Sequence, residues 1–150
     1  MAWNVVIAGG GFAGVAAARE LERLMPKQSA RLLLVNDINF LLYTPFLPEA
    51  AAGTLEPRHV VTPLRDILKR TNLRLGAICG HDPELRTVTY RSHEGEREEI
   101  AYDQFLEAGT EAKARETHDV VTTLVPFEAA VRPIIEGRTF GFCKLVADRG

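Results

Sequence analysis

The sequence predicts an α/β fold in which a parallel sheet is flanked by helices and carries a small antiparallel insert. Three observations lead there. A short apolar run at residues 5–8 passes into a glycine-rich turn and at once into a helix-patterned stretch. A second apolar run follows at residues 30–35, at the spacing of a strand–helix–strand unit. From Leu73 onward the pattern shortens to that of strands joined by a charged hairpin turn.

The first unit is Val5-Val6-Ile7-Ala8, a buried strand, followed by Gly9-Gly10-Gly11-Phe12-Ala13-Gly14. Gly9, Gly11 and Gly14 satisfy G-x-G-x-x-G between a strand and a helix, the setting that makes the motif a dinucleotide fingerprint. Gly9 permits the tight turn, Gly11 lets the backbone approach a pyrophosphate, and Gly14 lets helix and strand pack closely. The helix N-terminus offers free N–H groups to the phosphates. The plain alternative is a glycine-rich turn with no ligand. The helix is expected over residues 11–25, with Val15, Ala18, Leu21 and Leu24 (or Met25) inward and Arg19, Glu22 and Arg23 toward water. Pro26 ends it.

Residues 30–35 form the second strand, apolar enough to be buried on both faces of a parallel sheet. The resulting βαβ unit is Rossmann-like. At the end of its second strand an acidic side chain would accept hydrogen bonds from a ribose diol. Here Asn36 occupies that place and Asp37 follows. No Arg stands at the turn, which disfavours a 2′-phosphate. A simple turn at Asn36 and Asp37 is the alternative.

Residues 38–59 have no clean period and are rich in aromatics and prolines, with turns fixed at Pro45, Pro48 and Pro57. They read as an irregular apolar wall, suited to a flat cofactor or else to ordinary core and loop. Thr62 and Pro63 are expected to cap and start a helix. In it Leu64, Ile67 and Leu68 would face inward and Arg65, Lys69 and Arg70 outward. Strands are expected at 73–79, 85–91 and 98–107, with residues 92–97 as the hairpin turn and an antiparallel insert at about 85–100.

Composition narrows the function classes. The chain has 18 basic and 20 acidic side chains, net charge −2, which gives no electrostatic case for a nucleic-acid partner. Cys79 and Cys143 form no C-x-x-C, so a reduced cytoplasmic setting is the default. His59, His81, His93 and His118 have no ligand spacing, and no metal site is expected. No signal peptide or membrane-spanning stretch is recognisable. No residue stands out as a catalytic acid or base; Glu49 and Arg65 lie near the right region in sequence but receive no role.

The fingerprint, the second-strand end Leu34-Val35-Asn36 and the stretch from Asn39 through Thr44-Pro45 to Ala52-Gly53 carry a family likeness, as do Pro63-Leu64-Arg65 and Gly80-His81-Asp82-Pro83-Glu84. Residues 4–109 resemble the N-terminal FAD-binding portion of type II NADH dehydrogenases. These are single-subunit NADH:quinone oxidoreductases within the pyridine nucleotide-disulfide oxidoreductase superfamily. The resemblance implies FAD as cofactor and NADH and quinone as substrates of the parent enzyme. It implies that Gly9, Gly11, Phe12, Ala13 and Gly14 hold the pyrophosphate and that Asn36 and Asp37 meet the adenosine ribose. It puts Thr44 and Pro45 near the flavin, and Ile78 at the adenine through its backbone.

The likeness has limits. Glu107 puts a charge where an apolar residue belongs, and burying a carboxylate is costly, so that strand is expected to depart from the family's placement. Beyond Thr110 no second G-x-G-x-x-G appears. Residues 110–150, with Gly141-Phe142-Cys143-Lys144-Leu145-Val146-Ala147-Asp148, resemble instead a fragment of the disulfide oxidoreductase interface domain. Two domains are therefore expected. Residues 1–109 form a Rossmann-like FAD-binding domain with a parallel sheet and small antiparallel insert, incomplete, and 110–150 form the interface-type fragment. The resemblance implies a parent enzyme at the cytoplasmic membrane face, with its membrane-binding segments not encoded in this chain. Turnover by this chain alone is not expected, and exposed apolar surface predicts oligomers. The alternatives are a NAD(P)-binding Rossmann domain and a non-catalytic flavoenzyme remnant.

Overall fold

The computed structural model describes residues 2–108 and, by backbone alone, strands at Val125–Pro126 and Phe142–Ala147. The rest of the expected interface-type fragment lies outside the described residues. In chain order the elements are β1 (Trp3–Ala8), α1 (Phe12–Leu24), β2 (Ala30–Asn36), β3 (Phe40–Leu42), α2 (Leu47–Ala51), β4 (Val61–Pro63), α3 (Leu64–Ile67), β5 (Asn72–Asp82), β6 (Thr87–Ser92), β7 (Arg97–Ala101), β8 (Gln104–Glu107), β9 (Val125–Pro126) and β10 (Phe142–Ala147). The main sheet runs β7-β6-β5-β2-β1-β8-β10-β9, and β3 pairs with β4 in a separate ladder.

Four strands, β5, β2, β1 and β8, are parallel, with Val5 beside Leu32 on one side and Gln104 on the other. Because side chains alternate along a strand, this layer has two apolar faces. Val5, Ile7, Leu32, Leu34 and Leu106 belong to one cluster with Val15, Ala18 and Leu21 of α1 and with Leu64 and Leu68. Val6, Val35 and Phe105 belong to the other, with Val88, Tyr90 and Tyr102. The second face is thus covered by the antiparallel ribbon β5–β6–β7 rather than by a helix. One strand serves both layers: β5 pairs with β2 up to Leu75, then with β6 from Gly76. Gly76 is obligatory at that junction, since a Cβ there would lie 2.2 Å from the Arg91 carbonyl oxygen.

The elements differ from expectation in three places. Thr62 and Pro63 do not begin a helix; they lie in β4, whose Thr62 pairs with Leu41, and only one helical turn follows. The local capping signal is overridden by the β3 partner. The run 98–107 breaks at Tyr102-Asp103: β7 ends the ribbon and β8 returns to the parallel layer. Asp103 makes that return, donating its N–H to the Asn4 carbonyl at 2.8 Å and accepting the Asn4 N–H at 2.9 Å. β8 is buried throughout, with Glu107 beside Ala8 and only 6% exposed.

The third difference is in the side chains near the end of α1, a helix that stops at Leu24, just before Pro26 as expected. Glu22 and Arg70, both expected in solvent, meet across the α3–β5 turn. The Glu22 carboxylate accepts hydrogen bonds from the N–H groups of Lys69, Arg70 and Thr71 at 3.2, 2.8 and 2.7 Å, and from the Thr71 hydroxyl at 2.7 Å. Partial burial pushes its pKa up, but the Thr71 hydroxyl and the three N–H groups together hold it below the ordinary carboxylate value. Arg70 in return donates to the carbonyls of Glu22, Met25 (2.9 Å) and Pro26 (3.2 Å), occupying the acceptors that a helix C-terminus leaves open. This lock joins the C-terminal end of α1 to the α3–β5 turn.

Candidate functional site

The site candidate lies where β1 ends and α1 begins. Gly9 donates its N–H to the Val35 carbonyl at 2.8 Å, and Ala108 donates to Ala8 at 2.8 Å, so the turn is held by both neighbouring strands. Gly9 has φ +104°, and a Cβ on it would stand 2.1 Å from the Ala108 carbonyl oxygen. A Cβ on Gly14 would stand 1.8 Å from the Gly9 carbonyl oxygen. Both glycines are demanded by packing inside the protein.

Gly11 is different. Its φ of −76° and ψ of −169° suit any residue, and a Cβ there would meet nothing within 4 Å. Neither its backbone angles nor its packing requires a glycine at this position. A bare backbone there keeps the approach to the helix N-terminus open. The first N–H groups of a helix have no partner within it; here no side chain caps them and no acidic residue occupies the first turn. The turn is therefore an uncapped, unobstructed donor surface at a positive dipole end, the chemistry that binds a phosphate or pyrophosphate.

The expected ribose residue takes part in the turn directly. The Asn36 Oδ1 accepts the Gly10 N–H at 2.8 Å, and its Nδ2 donates to the Ile38 carbonyl at 2.9 Å. Asp37 follows, exposed at the strand end. Thr44 and Pro45 lie in an exposed 3₁₀ turn, Thr44–Phe46, that reaches the helix start through aromatic rings. Phe12 meets Tyr43 edge to face at 5.7 Å between ring centroids, and Tyr43 meets Phe46 at 4.8 Å. These rings are 50%, 43% and 46% exposed, so residues 43–47 form an apolar wall open to solvent and not a piece of core. Ile78 sits on β5 opposite Tyr90, beyond the last β5–β2 pair, and packs on the second hydrophobic cluster. The structure thus joins Gly9, Gly11, Phe12, Ala13, Gly14 and Asn36 in one turn, with Tyr43 linking that turn to Thr44 and Pro45.

Sequence reasoning gave no role to Gly10, Tyr43 or Ala108. Ala108 closes on Gly9 through its backbone carbonyl, a contact that residue type does not announce. A cleft of about 880 Å³ lies elsewhere, along the first halves of β1 and β2, lined by Asn4, Arg31, Asn72, Arg74 and Glu98. It includes no residue of the glycine turn. Among the described residues no cluster of His, Cys, Asp and Glu could hold a metal ion, and no helix is long and apolar enough to cross a membrane.

Known proteins fit this geometry. The Arabidopsis thaliana external alternative NAD(P)H-ubiquinone oxidoreductase B3 is 30% identical over 96 residues, covering 61% of this chain and 16% of the relative. The Aquifex aeolicus sulfide-quinone reductase is 33% identical over 108 residues, covering 71% of this chain and 24% of the relative. The solved structure of the sulfide:quinone oxidoreductase from that bacterium superposes with a TM-score of 0.60 at 26% identity, over 89% of this chain and 27% of that one. The chain therefore spans about a quarter or less of the proteins it resembles. The pyridine nucleotide-disulphide oxidoreductase family matches residues 3–116, the stretch that holds the glycine turn, both faces of the parallel sheet and the antiparallel ribbon. The chain belongs to the pyridine nucleotide-disulphide oxidoreductase family.

Proposed function

We propose that residues 1–109 bind FAD through its ADP moiety, as the cofactor domain of a flavoprotein oxidoreductase that passes electrons from NADH to a quinone. The single observation that carries the reading is Gly11, a glycine with no packing or conformational duty at an uncapped helix N-terminus. The N–H groups of Gly11, Phe12, Ala13 and Gly14 would hold the pyrophosphate, and the end of β2, where Asp37 stands exposed beside Asn36, would take the ribose. Thr44, Pro45 and the exposed rings of Tyr43 and Phe46 would flank the flavin, and the Ile78 backbone the adenine. When bound, the flavin supplies the redox chemistry, accepting a hydride and releasing electrons. The chain's own residues position it and shield one side.

The quinone reductases among the relatives support this reading over a plain NAD(P)-binding domain. The donor, the acceptor and the cytoplasmic membrane face belong to this proposal for the longer protein. Residues 110–150 are assigned to a second, interface-type segment, whose β10 attaches at the β8 edge. The exposed rings support self-association where no cofactor covers them.

The test is a visible spectrum of the purified chain after incubation with FAD and removal of excess. A retained flavin band is expected; a folded chain with no retained band refutes the proposal. The sulfide-quinone likeness favours a second reading in which the donor is sulfide, and bleaching of the retained band by NADH or by sulfide separates the two.

A further inference from the structure

We infer that Asn36 is a positioning residue, not the ribose ligand: its amide clamps the glycine turn into the shape that receives the dinucleotide. This rests on the FAD-binding reading above.

The argument begins with the two hydrogen bonds of one side chain. Gly10 N–H can only donate, so the Asn36 atom 2.8 Å away must be the oxygen. The Ile38 carbonyl can only accept, so the atom 2.9 Å from it must be the nitrogen. Only one orientation of the amide satisfies both. The contact is close: a Cβ on Gly10 would meet the Asn36 Cγ at 2.7 Å and its Nδ2 at 2.8 Å. The amide therefore stands close against Gly10 and joins the turn to the loop that leaves β2. Each polar atom already has one partner in the backbone, so the amide's orientation is set by the protein before any ligand arrives.

A carboxylate here could still accept from Gly10, but it would set an anionic oxygen against the Ile38 carbonyl. An acid at the end of β2 would serve a ribose diol; in this chain it would undo the clamp. The two roles predict opposite outcomes for one substitution. If Asn36 is the ribose ligand, Asn36→Asp strengthens binding at neutral pH. If Asn36 is the clamp, Asn36→Asp weakens it, by about tenfold for a hydrogen bond exchanged for a repulsion. Protonation restores a donor, so the deficit is full above the introduced carboxyl's pKa and shrinks as pH falls through it.

The experiment titrates the whole chain with FAD at pH 8 and pH 4, for wild type and Asn36→Asp. Asp37 adjoins in the chain and carries a carboxylate of its own, so Asp37→Asn is measured alongside. Hydrogen exchange of the Gly10 amide is followed in the absence of FAD. Weaker binding by Asn36→Asp than by wild type at pH 8, with most of the deficit recovered at pH 4 as the introduced carboxyl protonates near its ordinary value of about 4, and faster Gly10 exchange than in wild type at pH 8, is expected. Tighter binding by Asn36→Asp at pH 8, or Gly10 exchange unchanged in the variant, overturns the inference. Wild type failing to bind FAD sinks the cofactor reading instead, and the exchange measurement still decides whether the clamp exists.

Discussion

Substituting alanine at Gly11 and at Gly14 separates ligand binding from folding. The Gly14 Cβ would sit 1.8 Å from the Gly9 carbonyl oxygen, where ordinary contact begins at 3.4 Å. Well over an ångström must open between α1 and the turn, and neither can move freely, because Gly9 is tied to Val35 and abuts Ala108. Overpacking of this kind costs about 1–3 kcal/mol or more, and backbone against backbone belongs at the upper end. That is a large part of a domain's usual ~5–15 kcal/mol, and corresponds to a fall in melting temperature of about 10 °C or more. At Gly11 the Cβ meets nothing. Alanine at the N-cap costs about 0.5–1 kcal/mol relative to better caps, and the lost freedom of the unfolded chain returns about as much. The melt should therefore move by only a degree or two either way. The same methyl would stand over the donor surface, and weakening a hydrogen bond to a charged group, worth about 1.5–3 kcal/mol, lowers affinity about ten- to a hundredfold. Thermal melts without ligand and FAD titrations below the melting range read the two effects independently. The reasoning is refuted if Gly11→Ala melts as early as Gly14→Ala, or if it binds FAD as wild type does.

Other outcomes follow from named contacts. Glu22→Gln should lower stability by about 1 kcal/mol, the low end for a charged acceptor because the carboxylate is partly exposed. Since the folded-state pKa of Glu22 is depressed, its contribution is present above the unfolded carboxylate pKa and is lost as pH falls through the folded value. Urea midpoints at pH 7 and pH 3 should converge more in the variant than in wild type. Arg70→Ala should free the carbonyls of Glu22, Met25 and Pro26 and lower the urea midpoint, with Arg70→Lys recovering only part, because a point charge cannot match the planar fork. Tyr43→Ala and Phe46→Ala remove exposed rings, so each should leave the melt nearly unchanged while weakening FAD retention; a melt that collapses would make the wall part of the core.

What was legible in the sequence was local. The strand at Val5–Ile7, the glycines and the helix end at Pro26 follow each other within 25 residues, and each carries its own signal. What was not legible is made by distant partners. Thr62 and Pro63 look like a helix start and become a strand because Phe40 and Leu41 lie beside them. Glu22 reads as a solvent residue because its four donors stand 47 to 49 positions away. Glu107 reads as misplaced, yet it is buried in β8. The division of labour among Gly9, Gly11 and Gly14 was expected from the motif, but only coordinates show that the middle one is free of internal constraint. Position alone marks Asn36 as a ribose contact; its two bonds to the backbone are visible only in the geometry.

The contact between Gly9 and Ala108 also sets an order of assembly. The motif that begins the chain gets its final prop from a residue about a hundred positions later, and Asn4 and Asp103 repeat that span. Pairings this distant are slow to close, because the intervening loop must be ordered before they contribute. During synthesis β1, α1 and β2 can pair early, but the turn stays unbraced until β8 has been made. The site should therefore mature last, and a nascent chain lacking β8 should hold its nucleotide poorly even with every fingerprint residue already in place.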